Sequence, residues 1–482
     1  MSSTGPGRRA RSGSGRTKPR PGDLCTARRK LSVGSGGSTL RPAIISHGTF
    51  FRSSGPGGRL VATVVLCAAL GLPAAACSGG EARAVGHDHG YTKVGEQSGA
   101  ATSLTRISIT PAGGTDTSPN RGITVSVVGG RISKVIVDTG GDRVTGMLSR
   151  TGTTWRSNWA LDVSQHYTVT ATAIGASGKP VTSTSSFRTF TPKATFTAEI
   201  VEGYHQTYGV GMPIILYFDR PISDRAAVER ALQIQTSKPI VGAWYWDGPC
   251  RLAPLCLYFR PQRYWPAHTQ VTFTGHLDGV QAAPGVWGHH TLTQTFTIGS
   301  PLTVVASTAT HYMNVYRNGK LFAHWPISSG RPGDDTPNGT YLTIEKANPV
   351  DMIGPGYSLE VPWSVRFTFS GDYLHDAYWS VGEQGFTNVS HGCVNMSPAD
   401  AEIYYKMAVP GDPVKIIGSP RAGTWDNGWT MWFLSWNQWL RGSALRQAVL
   451  AGPRGSTFVR PDLLRHQANP APSARSHGLA AS

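Results

Sequence analysis

The chain has 482 residues, room for about three domains of ordinary size, and a formal net charge of +17. Residues 1–60 hold 12 Lys/Arg against one Asp, so +11 of that charge sits in a Gly/Ser/Arg-rich preface and only +6 in the rest. A basic tail without a recognised nucleic-acid motif gives no ground for a nucleic-acid partner, and the expectation for residues 1–60 is a disordered extension.

Residues 61–76 form an apolar run after Arg59, of signal-peptide length, too short for a membrane span and ending in small residues. Cys77 follows Ala74-Ala75-Ala76 and precedes Ser78-Gly79-Gly80, a lipobox-like arrangement with alanine where leucine is usual. Over 61–77 the expectation is therefore an exported chain lipidated at Cys77 and held at the outer face of the cytoplasmic membrane. A cleaved signal and an uncleaved anchor are the alternatives. Residues 78–103 are rich in Gly, Ser and Ala and read as a linker; His87-Asp88-His89 within it lies in too loose a stretch to be expected to hold a metal.

From 104 to 190 the pattern is short alternating segments, at 105–110, 122–128, 131–138, 167–174 and 181–187, separated by turn residues. It predicts an immunoglobulin-like β-sandwich with Trp155 and Trp159 in its core. A second such domain is expected over 191–299, with strands at 212–218, 257–259 and 270–273 and one short helix over 225–232 capped by Ser223 or Asp224. Trp244, Tyr245, Trp246, Tyr258, Trp265 and Trp287 suit core packing and domain contacts better than a sugar-binding platform. Cys250 and Cys256 lie in a turn-rich stretch and can close a small disulfide loop in an oxidising compartment.

A third domain is expected over 300–418. Asn318-Gly319 between two apolar runs signals a hairpin. Strands follow at 340–344, 366–369 and 373–375. Ser397, Pro398 and Asp400 then mark the start of a helix reaching about residue 408, and a last strand is predicted over 414–417. Residues 419–452 form a Trp-rich subdomain. Its Trp425, Trp429, Trp432, Trp436 and Trp439 recur every three or four residues, one helical face, expected to pack on the third domain. Residues 453–482 read as a disordered tail.

The chemistry concentrates in Ser390-His391-Gly392-Cys393-Val394-Asn395, with His375 sixteen residues before His391 behind an apolar strand-like run. A thiol is activated by a neighbouring base, most often histidine. The glycine before the cysteine permits a tight turn that exposes amide N–H groups to an oxyanion, so Gly392 and Cys393 are the expected oxyanion donors. This arrangement suits acyl transfer through a thioester. A zinc site built from His375, His391 and Cys393 is the competing reading, but no Cys-x-x-Cys or His-x-x-x-His element accompanies them; neither a metal nor a cofactor is expected.

Together, Thr336-Pro337-Asn338-Gly339, His375 and the Ser390–Asn395 stretch resemble the catalytic domain of the L,D-transpeptidases, the YkuD-type enzymes of bacterial cell walls. The order of the whole segment from about 100 to 445 resembles the mycobacterial and actinobacterial members, which carry paired Ig-like domains ahead of the catalytic one. The resemblance implies a mainly β protein: two Ig-like sandwiches, a YkuD-type β-sandwich with one helix, and a Trp-rich C-terminal helical extension. It implies Cys393 as nucleophile and His375 as proton donor and acceptor, with His391 supporting the pocket. The Asp376 backbone carbonyl would orient His375, and Tyr357, Ser370, Gly371 and Asn395 would surround a peptidoglycan stem peptide. It also implies acylation by carbapenem-type β-lactams. The lid ahead of Trp363 is shorter than in close relatives, compressed at Met352-Ile353-Gly354-Pro355-Gly356. Two alternatives stay open: a thiol hydrolase acting as L,D-carboxypeptidase or endopeptidase on stems, and a non-catalytic wall-binding scaffold.

Overall fold

The computed structural model describes residues 104–354 and 357–462. Cys77, the expected lipobox, the linker, His87-Asp88-His89 and the end of the tail lie outside these residues. Within them, strands dominate and helices are few and short.

The first unit stacks two antiparallel sheets. One orders Arg106–Thr110, Thr124–Val128, Thr154–Ser157 and Gly146–Leu148; the other orders Gly130–Thr139, His166–Gly175 and Pro180–Arg188. The period-2 alternation read in the sequence is the burial pattern: Tyr167, Val169, Ala171 and Ala173 point inward from one strand. Trp155 packs half-buried against this core. Trp159 does not. It stacks on His276 of the second unit, with ring centroids 4.0 Å apart, so it serves the junction between the two.

In the second unit, a four-stranded sheet (Thr207–Tyr208, Leu292–Ile298, Gln270–Gly275, Leu232–Thr236) faces a six-stranded one. Between them lie Phe218, Trp244, Phe259, Phe273 and Phe296, all buried. Trp246, Trp265 and Trp287 are buried as well, which leaves them no face for a sugar. Asp224 caps the short helix Arg225–Arg230, its carboxylate accepting from Ala227 N at 2.9 Å; the helix stops earlier than its sequence suggests because Leu232 starts a strand. A disulfide joins Cys250, in the turn after Ile240–Asp247, to Cys256 near the start of the strand Leu255–Pro261.

The third unit is again two-layered. Its first sheet orders Lys320–Pro326, Tyr312–Arg317, Leu302–Ser307, Pro413–Ile417 and Gly339–Leu342; its second orders Glu345–Ala347, Ser364–Arg366, Tyr373–Asp376 and Val394–Met396. The hairpin at Asn318-Gly319 has φ of 52° and 75°, the left-handed pair that a type I′ turn requires. The helix Pro398–Met407 begins as its residues dictate: Ser397 Oγ accepts from Asp400 N, and Pro398 occupies the first turn. It buries Ala401 and Tyr404 and packs beside Tyr373–Asp376. Val350–Gly354 and Tyr357–Val361 pair as a separate two-stranded flap.

The Trp-rich segment departs from expectation in two ways. It is not one helix: only Met431–Phe433 and Trp436–Arg441 are helical, and Gly428, at φ +124°, turns the chain between Trp425 and Trp432. Nor does its aromatic face belong to the third unit. Three indoles donate to the second unit instead: Trp439 to Ala243 O at 2.8 Å, Trp432 to Gly211 O at 2.8 Å and Trp425 to Asp247 at 3.0 Å. The Arg260 guanidinium lies over Trp432 and Trp439, 4.4 and 4.7 Å from the ring centres. Phe433 alone of this cluster packs on Tyr341 of the third unit. The chain then forms a hairpin, Ala448–Gly452 with Gly455–Val459, that adds two strands to the sheet edge at Ile240–Asp247. Order thus runs past 453, where a tail was expected, because those residues find a ladder to complete.

Candidate active site

Two neighbouring parallel strands bring the histidine and the cysteine together. His375 pairs with Asn395, and Leu374 with Val394; Cys393 immediately precedes that strand. His375 is buried, and its Nδ1 lies 2.6 Å from the Asp376 carbonyl. A carbonyl can only accept, so Nδ1 carries the proton and Nε2 is the basic nitrogen. Burial pushes the imidazole down to about 4, against a smaller upward pull from the Asp376 carbonyl. It is neutral at physiological pH. A neutral imidazole with a free Nε2 lone pair is the form that can take a proton from the cysteine.

The loop carrying Cys393 is tightly built. Thr336 Oγ1 donates to Gly392 O at 2.7 Å and accepts from Gly330 N at 2.9 Å, which gives the Thr336–Gly339 motif its purpose: it fixes the cysteine loop from below. Gly392 has φ +130°, a conformation open to glycine and costly for other residues. Its N–H donates to Ser390 Oγ at 3.2 Å. Its share of an oxyanion site therefore requires Ser390 to turn away. Ser390 Oγ also donates to Cys393 O at 2.6 Å. Cys393 Sγ lies 3.7 Å from the Gly371 carbonyl.

Two clefts meet at Cys393. The larger, of about 360 Å³, contains His375, Asn395, Trp379 and Glu383. The smaller, of about 60 Å³, contains Ser370, Gly371, Asp372, Tyr373 and Arg421. Met352 and Tyr357 of the flap and His391 line both. His391 is exposed, with its ring 5.1 Å from that of Tyr357.

Two residues expected against a substrate are engaged elsewhere. Ser370 Oγ donates to Asp372 at 3.0 Å and accepts from Asn427 Nδ2 at 2.9 Å, while Ser370 N donates to Asn427 Oδ1 at 2.8 Å. Its hydroxyl shapes the turn that presents Gly371. Asn395 is buried and donates from Nδ2 to Ser380 Oγ at 2.9 Å, so its amide braces the cleft wall. Sequence reading missed Asp372, Ser380 and Asn427; Asn427 lies 57 positions from its partner, and no local pattern announces it. Among the described residues, no group of three or more His, Cys, Asp or Glu is placed to hold a metal.

A profile of the L,D-transpeptidase catalytic domain matches residues 301–416, and one of a bacterial Ig domain matches residues 114–281. L,D-transpeptidase 5 of Mycobacterium tuberculosis (strain H37Rv) is 34% identical over 350 residues, 70% of this chain and 77% of the relative. The chain belongs to the L,D-transpeptidase family. L,D-transpeptidase 2 of Mycobacterium tuberculosis (strain CDC 1551) is 32% identical over 335 residues, covering 67% of this chain and 80% of that relative. The solved structure of LD transpeptidase LdtMt1 in complex with imipenem is 34% identical, covering 47% of this chain and all of that one, with a TM-score of 0.39. This L,D-transpeptidase thus combines Ig-like β-structure with a YkuD-type catalytic domain, as its sequence led us to expect.

Proposed function

We propose that this L,D-transpeptidase joins peptidoglycan stems by 3→3 cross-links through a Cys393 thioester. The observation that carries the reading is the placement of His375 and Cys393 on one cleft, with Nδ1 tied to the Asp376 carbonyl and Nε2 left as the base. The sulfur attacks the carbonyl between the diamino acid and the terminal D-Ala of a tetrapeptide donor. Its proton passes to His375 Nε2 as the S–C bond forms. The tetrahedral adduct, its oxyanion stabilised by the Cys393 N–H, collapses and expels D-Ala, whose amine takes the proton from His375. The side-chain amine of a second stem then attacks the thioester, gives a proton to His375 and releases the sulfur, which is reprotonated. Tyr357 and Gly371 hold the donor stem, and His391 supports the pocket mouth. Lipidation at Cys77 would place this chemistry at the outer face of the membrane.

A carbapenem tests the nucleophile. Its strained carbonyl should acylate Cys393 and add one drug mass to the intact protein. No adduct on the wild type, or an adduct that persists in Cys393→Ala, would refute the assignment. His375→Ala should slow acylation by roughly 100-fold.

A further inference from the structure

Asp372 has no part in the mechanism above, yet it is packed behind the nucleophile. Its carboxyl is buried. Oδ2 accepts from Thr368 Oγ1 at 2.6 Å and from Ser370 Oγ at 3.0 Å. Oδ1 lies against the cysteine loop: a Cβ built on Gly392 would stand only 2.4 Å from it. Asp372 and Cys393 line the smaller cleft together, while His375 opens onto the larger one. The thiol is thus flanked by a buried acid on one cleft and a buried neutral imidazole on the other.

We propose that Asp372 is a positioning residue that keeps Cys393 as an uncharged thiol at rest, so that its proton leaves only as the sulfur attacks. A carboxylate beside a thiol disfavours a second negative charge, and the buried imidazole disfavours the compensating positive one. The proton then moves from sulfur to His375 Nε2 in the step that forms the S–C bond, when the carbonyl electrons shift to oxygen. Two consequences follow. The free thiolate, the form that oxidants attack, stays scarce, and the sulfur becomes nucleophilic only against a carbonyl seated in the cleft. Burial raises the Asp372 carboxyl above the ordinary range, opposed by the Thr368 and Ser370 hydroxyls and by the charges of Arg421 and Arg366. The other titratable groups on the two clefts are Asp351, Tyr357, Tyr373, Glu383 and His391.

The proposal rests on Cys393 being the nucleophile, but its test needs neither stem nor drug. Alkylation of Cys393 by iodoacetamide is followed over a pH series, with the modified site located by peptide mass. The wild-type midpoint should lie above the roughly 8.5 of an ordinary thiol. A midpoint well below that value would overturn the proposal without a variant. Asp372→Asn keeps the size and an acceptor oxygen but removes the charge. Its midpoint should fall by about one pH unit at unchanged circular dichroism. An unmoved midpoint in the folded variant would also overturn it, since a purely structural role changes the melting temperature but not the profile. Transpeptidase failure would show as missing cross-links with the alkylation shift intact, so the two readings fail separately.

Discussion

The two junctions of the second Ig-like unit differ in kind. Towards the first unit the contact is narrower and mixed: Val163 N donates to Asp278 at 2.9 Å, Trp159 stacks on His276, Phe190 meets Trp287 edge-on, and Gly279 approaches the Leu161 carbonyl so closely that a Cβ would stand 1.8 Å from it. Towards the catalytic unit it is broad and apolar. Leu342, Trp429, Met431, Trp439, Val449 and Ala451 all belong to the core cluster of the second unit, and the terminal hairpin finishes its sheet. Buried Glu229 fastens that hairpin's approach, accepting from Trp246 Nε1, Ser443 Oγ, Ala444 N and Leu445 N. The difference teaches that the second unit is part of the catalytic body, whereas the first is attached to it. The same segment continues to the active site, since Asn427, between the anchors Trp425 and Trp432, grips Ser370.

The contrast can be broken most sharply at Trp439, which is fully buried and donates across the wide junction. Trp439→Ala should cost about 3–5 kcal/mol, read as a large fall in the melting temperature together with lost acylation. A small loss would show that the junction is not a shared core. Glu229→Gln comes next. It turns one acceptor oxygen into a donor among four donors, and should cost about 1–3 kcal/mol by denaturant unfolding.

At the narrower junction the effect is smaller and depends on pH. Burial, with Asp162 and Asp142 nearby, raises Asp278 from 3.8 to about 7. Between those values the folded state holds a proton on Asp278 that the unfolded state releases, so this group's contribution to stability falls as pH rises through that window. His276, lowered from 6.5 to about 4 by burial, is neutral in the folded state but protonated in the unfolded state between those values, so it contributes a rise in stability with pH that offsets the Asp278 decline there. Asp278→Asn should remove the falling contribution and leave stability rising with pH between about 4 and 6.5 in melts recorded across the window; a pH profile unchanged from the wild type would assign the contribution to another group. The smallest effect is expected from deleting the first unit up to residue 190. Carbapenem acylation should change by less than about twofold, as its contacts go to the second unit and none of its residues lines the clefts at Cys393. A collapse of the rate would mean that the first unit shapes the site.

What the sequence made legible was local. Ser397-Pro398 with Asp400 states a helix start, Asn318-Gly319 states a turn, and alternating valines and threonines state strands, because each depends on neighbours a few positions away. The histidine and cysteine were legible because their residue types and spacing announce a chemistry. The Trp spacing misled because a three-four rhythm is necessary for a helical face but does not say which indole will find a carbonyl across a domain boundary. The role of Ser370 was hidden for a similar reason: its partners, Asp372 and Asn427, are assembled by tertiary contacts. The charge state of His375 is set by burial, which no motif records.

The central claim is that Cys393 carries the acyl group from one stem to another with His375 moving the proton. It is tested most directly by incubating the purified protein with disaccharide-tetrapeptides and analysing the products by mass spectrometry. The account predicts dimers joined between two third-position diamino acids, one D-Ala released per dimer, and none from Cys393→Ala. Dimers made by Cys393→Ala, or only shortened monomers from the wild type, would contradict it.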